Sequence, residues 1–176
     1  MGYVIFNEKI TSVVEYKVEV LVDIEIKDIA QTKVEIDNIM ISSDDKIILC
    51  SSIIGPGTAC NIYVNNNESY TKYYSQVFQS TLTSSKSSKH NDSRFIQHSG
   101  MISFSRTDLK LTSDGYFVYK SNNIRNAGDS NIQVEEWYGT SIFKIDCINK
   151  MTISSSTING MGIGSRFTVY KIGGGK

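Results

Sequence analysis

The 176-residue chain has one proline, three cysteines and no excess of charge of either sign. The lone proline, Pro56, leaves the backbone donors of nearly every segment available for β-ladders. Cys50, Cys60 and Cys147 lack C-x-x-C spacing, which argues against a zinc site and against a disulfide framework. We therefore expect buried thiols in a reducing compartment. A Cys50–Cys60 bridge across a hairpin is the less favoured alternative.

Acidic and basic residues balance, with 18 of each. Nucleic-acid binding depends largely on neutralising phosphates, so a balanced chain predicts no nucleic-acid partner. The same balance gives no global field that would hold an anionic membrane surface. The densest basic cluster is Lys86, Lys89 and His90, and it lies in a serine-rich segment that we interpret as a solvated loop.

Long apolar runs are missing too. No window approaches the ~20 apolar residues of a membrane span. The apolar residues 4–6 are followed at once by Glu8 and Lys9, which is too short a run for a secretory signal. The sequence therefore predicts a soluble protein that is made in a cytoplasm and has no membrane partner.

Catalytic motifs are also lacking: there is no G-x-S-x-G, H-E-x-x-H or Walker sequence. The two histidines, His90 and His98, have no carboxylate pattern that indicates a metal or proton-transfer site. The acid pairs at 44–45 and 135–136 would suit a glycosidase only with carboxylates roughly 5–9 Å apart, and turns and solvent-exposed faces explain both. We predict no catalytic residue, no metal ligand and no cofactor, and hence a protein that is not an enzyme.

Ile, Val, Tyr, Ser and Thr are abundant and fall in period-two patterns, which are typical of β-strands. The cleanest pattern covers residues 16–27. Its predicted apolar face carries Tyr16, Val18, Val20, Val22, Ile24 and Ile26, with Leu21 as the one exception. So long a strand exceeds what one small sandwich requires, and it predicts contact beyond the domain. Three more runs lie in residues 140–172, where Gly160, Gly162 and Gly164 separate the last two.

Further strands are predicted at residues 3–6, 32–41, 46–54, 59–64, 94–105, 108–120 and 132–138. Turn residues occur at 42–45, 55–57 and 113–115. Residues 68–79 fit either an amphipathic helix or a strand, and residue propensity favours the strand. Residues 80–93 and 122–131 are predicted to be exposed polar loops. Roughly ten short strands without strand–helix alternation predict an antiparallel β-sandwich.

Two short motifs resemble the jelly-roll domain of tail and appendage proteins from tailed bacteriophages. The first is a strand with a W…I..I pattern, a loop and a terminal G-S-x-F-T-x-Y-x-I strand; its residues are Trp137, Ile142, Ile145, Gly164, Ser165, Phe167, Thr168, Tyr170 and Ile172. The second is a strand followed by an N-x-[ND]-type turn and a tyrosine, carried by Asn66, Asn67 and Tyr70. Their order agrees with the family, and the resemblance covers residues ~32–172.

The resemblance implies an all-β jelly roll over residues 32–176 and leaves residues 1–31 as an extended N-terminal β arm for assembly or docking. It implies a non-enzymatic structural protein of the virion, made in the host bacterial cytoplasm. Other virion proteins would be its partners, and family members commonly form homotrimers.

The alternative function is a carbohydrate-binding protein that recognises host surface glycans. Flat aromatic faces with polar rims suit sugar rings, and the candidates are the pairs Trp137-Tyr138 and Tyr73-Tyr74. The simpler interpretation places Trp137 in the core and the tyrosines at its rim. No ligand-binding residue is assigned from the sequence.

Overall fold

The computed structural model describes residues 17–55, 58–81, 84–98, 102–126 and 132–173. The strands within these ranges are β1 (Lys17–Glu25), β2 (Lys33–Ile41), β3 (Lys46–Ile54), β4 (Thr58–Val64), β5 (Tyr73–Ser80), β6 (Ser85–His90), β7 (Arg94–His98), β8 (Ile102–Leu111), β9 (Tyr116–Asn126), β10 (Ile132–Lys144), β11 (Ile148–Ser155) and β12 (Arg166–Gly173). A single 3₁₀ turn at Tyr70–Lys72 precedes β5. The all-β prediction is confirmed.

The strands form two antiparallel sheets. The large sheet has the order β1-β12-β3-β8-β9-β10-β5-β6, and the small sheet has the order β2-β11-β4-β7. Apolar side chains of β2, β4 and β11 pack against those of β3 and β12 to form the core, which includes Ile36, Leu49, Ile62, Met151 and Phe167. The arrangement is that of an antiparallel β-sandwich.

Several predicted strands match the structure closely. The prediction for 46–54 coincides with β3, and the alternation in the predicted strand at 32–41 buries Val34, Ile36, Ile39 and Ile41 in β2. The open choice for residues 68–79 resolves as a strand, because β5 pairs along β10. Gly115 has φ +86° in the β8–β9 hairpin, a conformation that suits glycine. The predicted strand at 3–6 and the turn residues 56–57 lie outside the described residues.

The prediction of an exposed loop at 80–93 is wrong in its central part. Residues Ser85–His90 form β6, which pairs antiparallel with β5 at the edge of the large sheet. The polar side chains mislead because an edge strand needs backbone partners on one side only and can keep its side chains in water. Nearly every side chain of β6 is exposed, as the composition suggests. Ser93, which lies between β6 and β7, is buried.

Other predicted boundaries need correction as well. The single strand predicted at 94–105 is wrong, because β7 belongs to the small sheet and β8, which begins at Ile102, to the large one. Residues 122–126, predicted as loop, continue β9, while 127–131 lie outside the described part of the chain. The predicted interruption between residues 105 and 108 is absent, since β8 runs without a break through Arg106 and Thr107. In both segments asparagine, serine and threonine hydrogen-bond inside the sandwich, so their low hydrophobicity does not indicate a loop.

The N-terminal strand β1 pairs with β12 as one edge of the large sheet. A β-bulge at Leu21 shifts the register between Val20 and Val22. The predicted single apolar face is therefore wrong: Val18 and Val20 are exposed, whereas Leu21, Val22 and Ile24 pack partly against the core and Ile26 is buried. A docking role for residues 1–31 stays a prediction.

Candidate interaction surface

The inner face of the large sheet is polar where β8, β9 and β10 lie beside β7. The inward side chains there include Ser103, Ser105, Asn123, Gln133 and Glu135, all of them buried. A hydrogen-bonded chain runs from the Thr107 hydroxyl to the Ser121 hydroxyl (2.8 Å), and from there to Asn123 Oδ1 (2.8 Å). The Asn123 amide then donates to the Phe95 carbonyl (2.8 Å), which fixes β7 against β9. Burial is possible because nearly all of these groups find partners; the Ser103 hydroxyl is buried without one among the described residues.

Glu135 is the buried charge of this face. One carboxylate oxygen accepts from Gln79 Nε2 at 2.8 Å and lies 3.1 Å from Arg125 Nη2, and the other accepts from Trp137 Nε1 at 2.8 Å. Arg125 also donates to Gln133 Oε1 at 2.7 Å. The cluster joins β5, β9 and β10, so a slip of register between these strands would leave a buried carboxylate without its partners.

The outer face of the same strands is apolar. Ile102, Phe104, Ile124, Ile132 and Val134 all point away from the small sheet and are between 41% and 61% exposed; we call them the outer apolar patch. Phe104, Ile124 and Val134 are direct register neighbours across β8, β9 and β10. Single exposed apolar residues are ordinary on a protein surface, but a contiguous cluster marks an interaction surface.

The patch arises because, along each of these strands, the apolar residues change from the inner face of the sheet to its outer face. In β8, Leu109 and Leu111 point into the core, and the same alternation carried back to the start of the strand directs serines inward and Ile102 and Phe104 outward. In β10, Trp137 points into the sandwich, and the same alternation carried back along the strand places Val134 on the outer face. Because β8 and β10 pair with β9 without a bulge in this region, the reversal occurs in adjacent rows.

Further along the outer face lies a shallow groove between β6, β5 and β10. Its lining includes Tyr74, Gln76, Lys89, Tyr138 and Thr140; we call these residues the tyrosine groove. Tyr138 is paired with Gln76, and Tyr74 with Thr140, so both tyrosines are on the outer face within one row of each other. Tyr74 is 50% exposed and Tyr138 is 38% exposed.

Polar contacts orient Tyr138 at the edge of the groove. Its hydroxyl donates to Glu136 Oε2 at 2.9 Å, and the Lys120 ammonium lies 5.2 Å from the centre of its ring. Hydrogen bonding to Tyr138, together with the nearby Glu136 carboxylate, raises the pKa of Lys120. Phe78 meets the ring edge-on at 6.0 Å between centroids. The aromatic side chain is thus held in place by its neighbours.

The structure divides both aromatic pairs named from the sequence. Trp137 and Tyr73 are fully buried, whereas Tyr138 and Tyr74 face outward. The backbone N–H of Val64 donates to the Tyr73 hydroxyl at 3.1 Å, which ties β4 to β5. Adjacent residues of a strand point to opposite faces of the sheet, so the two members of each pair cannot stack on the same ligand. The interpretation of Trp137 as core is confirmed, whereas the placement of Tyr73 at the rim of the core is wrong.

The explanation of the acid pairs by turns and solvent-exposed faces holds for the turn residue Asp45 but is wrong for Glu135. Glu135 is buried and Glu136 faces outward. Asp45 accepts from the Ser42 backbone at 2.8 Å and pairs with Lys171, so it stabilises the turn after β2. The His90 ring lies 5.4 Å from that of Trp137. Within the described ranges, no group of three or more His, Cys, Asp or Glu residues is placed to hold a metal ion.

The three thiols are free. Cys60 is fully buried, and burial raises its pKa to about 12. Cys50 and Cys147 are only partly buried, so the expectation of buried thiols holds for Cys60 alone. Among the described residues no helix has the length and apolar character to cross a membrane.

Comparison with known proteins gives no identification: no protein-family model, no curated protein and no solved structure matches this chain. The resemblance to phage appendage proteins therefore depends on the two sequence motifs alone.

Proposed function

We propose that this chain is a non-enzymatic structural protein of a bacteriophage virion, a jelly-roll module that assembles with copies of itself and with other virion proteins. The observation that carries the proposal is the outer apolar patch, because at one end of three adjacent strands the apolar side chains are in water while the polar ones are buried. Such a surface is suited to contact with another protein.

The strand pairing supports a jelly roll. In an eight-stranded jelly roll the first strand pairs with the last, and each following pair nests inside the previous one. Here β2 pairs with β11, β3 with β8, β4 with β7 and β5 with β6, each antiparallel. In this assignment β9 and β10 form a hairpin inserted between β8 and β5, and β1 and β12 extend the sheet at β3.

The residues of the phage-like motifs have structural roles that fit this assignment. The Ser165 hydroxyl contacts both the backbone N–H and the carbonyl of Ile54, at 3.0 and 3.2 Å, and so anchors the start of β12 beside β3. Phe167 is a core residue of β12. Asn66 lies in the turn after β4 with φ +61°, a conformation that asparagine tolerates. These are scaffold roles, as in a structural protein.

The virion assignment is tested on purified particles. Antibodies against the chain should label particles of the phage that encodes it, and mass spectrometry should find its peptides there. Presence in infected cells but absence from purified particles would overturn the proposal. A chain that lacks residues 1–31 loses β1 and the buried Ile26, so circular dichroism must first show that it is folded. The folded chain should not be incorporated, and its normal incorporation would place the docking surface on the sandwich.

The tyrosine groove favours a second candidate function, recognition of a host surface glycan. Tyr74 and Tyr138 offer aromatic faces, and Gln76, Lys89 and Thr140 offer polar groups beside them. Aromatic surface rimmed with hydrogen-bonding side chains is what a sugar ring requires.

This candidate is tested by binding to purified cell-wall polysaccharide of the host. Tyr138→Ala and Tyr74→Ala should each weaken binding by tenfold or more, whereas Tyr70→Ala should not. Tyr70 is a matched control because it is 63% exposed but is not part of the groove lining. Equal binding by all four proteins would exclude the groove.

A further inference from the structure

We infer that the outer apolar patch is the contact surface for a second copy of this chain, which packs face to face with the first about a two-fold axis along β9. The inference rests on the proposed structural function and names the partner and the geometry of that contact. It starts from the register of five neighbouring strands, β3, β8, β9, β10 and β5.

Three rows of outward residues cross these strands. The middle row is Ser52, Phe104, Ile124, Val134 and Ser80, each paired with the next. On one side of it, Ile54 is paired with Ile102, and Asn126 of β9 is paired with Ile132 of β10. On the other side lie Cys50, Arg106, Asn122, Glu136 and Phe78.

These rows are self-complementary about β9. A two-fold axis parallel to β9, midway between two stacked sheets, exchanges the positions of β8 and β10 and those of β3 and β5. Phe104 of one copy then faces Val134 of the other, Ile102 faces Ile132, and Ile124 faces itself. Both partners in every one of these contacts are apolar, so the packing buries like against like.

The charges match in the same arrangement. Arg106 and Glu136 flank Asn122 in one row, so the two-fold axis places Arg106 of each copy opposite Glu136 of the other. Within one chain, Arg106 Nη2 is 3.6 Å from Asp108 Oδ1, and Glu136 Oε1 is 3.5 Å from Lys120 Nζ. Both separations are long for an ion pair, and the Arg106 side chain is 58% exposed. Two symmetric ion pairs at the rim would fix the register of the dimer.

The extent of the surface is sufficient for a specific contact. With strands about 4.8 Å apart and a rise of about 3.4 Å per residue, three rows on five strands cover about 24 by 20 Å. Two copies would therefore bury about 1,000 Å², which is the lower limit for a specific interface. The contact ends at the next row, because Lys120 would there face Lys120 of the other copy. We expect a dimer of modest affinity.

The inference is tested by analytical ultracentrifugation of the full chain over a concentration series. Wild-type protein should reach an even-numbered assembly: two copies, or six if the chain also forms the trimer that the phage resemblance implies. Ile124→Glu places two carboxylates at the axis and should raise the dissociation constant by about 30-fold or more. Ile142→Glu is the control, since Ile142 is an exposed residue of β10 outside the patch and should have no effect.

Charge exchange tests the geometry. Arg106→Glu alone and Glu136→Arg alone should each weaken association by about tenfold, and the double variant should restore it to within about threefold. A wild-type chain that stays monomeric or purely trimeric, an assembly that Ile124→Glu leaves intact, or a double variant no better than the single ones would overturn the inference. These measurements use purified protein, so labelled particles together with a monomeric chain would reject the inference and leave the virion assignment standing.

Discussion

The two halves of the large sheet differ in how they use the interior. In β3 and β12 most inward side chains are apolar and fully buried, as with Leu49 and Phe167, and Ser51 is the buried polar exception. In β8, β9 and β10, at the end beside β7, the inward side chains are as well buried but include Ser105, Asn123 and Glu135. Side chains are thus buried in two ways in this protein. In one half burial removes apolar surface from water, and in the other the buried polar groups form hydrogen bonds with one another.

The difference also changes what each half can do on its outer side. On β3 and β12 the outward positions mix apolar residues, such as Ile48 and Ile54, with polar ones, such as Ser52, and both isoleucines are at least partly covered. At the end of β8, β9 and β10 that lies beside β7, the apolar residues face outward and form the outer apolar patch. A buried network gains little free energy over hydrated groups, but it imposes a register, because each misplaced partner leaves an unsatisfied group inside. The polar half is therefore suited to hold a defined surface.

Removal of the buried charge should have the largest effect on the polar half of the sheet. Glu135→Ala leaves Arg125 without its counter-charge and Trp137 Nε1 without its acceptor, so it should lower the free energy of unfolding by about 3–5 kcal/mol. Glu136→Ala is the matched control in dilute, monomeric protein, since it is the next residue of the same strand and faces outward; we expect a change within about 0.5 kcal/mol. Urea unfolding measures both. Equal effects would show that the inner polar network does not specify β10.

The apolar half and the outer apolar patch are compared by two further truncations. Leu49→Ala removes a fully buried side chain and should cost about 2–5 kcal/mol. Phe104→Ala removes a side chain that is 55% exposed, and in dilute, monomeric protein it should cost at most about half as much. The same urea titration applies at a concentration below association. A cost for Phe104→Ala equal to that for Leu49→Ala would mean that this patch is covered within the single chain.

Strands rich in apolar and β-branched residues could be predicted from the sequence. This was sufficient to place β2 and β3, although the alternation of β2 shifts by one residue at Asn38, which has φ +59°. β6 could not be predicted, because Ser85 to His90 carry no apolar signal and are held by backbone hydrogen bonds to β5. The bulge in β1 was visible only as the single irregularity at Leu21.

The candidate surface was harder to predict than the strands. Period-two patterning shows that Phe104 and Ser105 lie on opposite faces, but it does not show which face is inside. The choice is made further along the strand, where Leu109 and Leu111 enter the core. The patch could have been predicted from a strand without a break in which the apolar residues change from one face to the other.

A smaller effect concerns acid stability at the edge of the polar half. Partial burial against Trp137 lowers the pKa of His90 below its usual 6.5, and the Arg94 charge acts in the same direction. The unfolded chain then binds a proton at a higher pH than the folded one, so stability is complete above pH 6.5 and falls as the pH drops below it. His90→Gln should flatten the slope of unfolding free energy against pH between 7 and 5. Identical slopes in the two proteins would contradict this assignment.

The smallest effect is expected at the opposite edge, where an exposed ion pair fastens β1 to β12. Asp23 accepts from the Arg166 guanidinium and, at 2.9 Å, from the Thr168 hydroxyl. The hydrogen bond from Arg166 and then that from Thr168 hold the pKa of Asp23 at about 2, against a usual 3.8. A lowered carboxyl pKa stabilises the fold above pH 3.8, and this contribution is lost as the pH falls towards 2. Because the pair is in water, salt screens it and its contribution is small.

Asp23→Asn should speed hydrogen exchange of the β1 amides at pH 7 by no more than a few-fold, and Glu25→Gln, on the same strand, should change it less. If exchange in β1 is the same in Asp23→Asn as in wild type, the strand is held by Leu21, Val22, Ile24 and Ile26 and by its backbone ladder, and the two edges of the large sheet are alike in depending on backbone pairing.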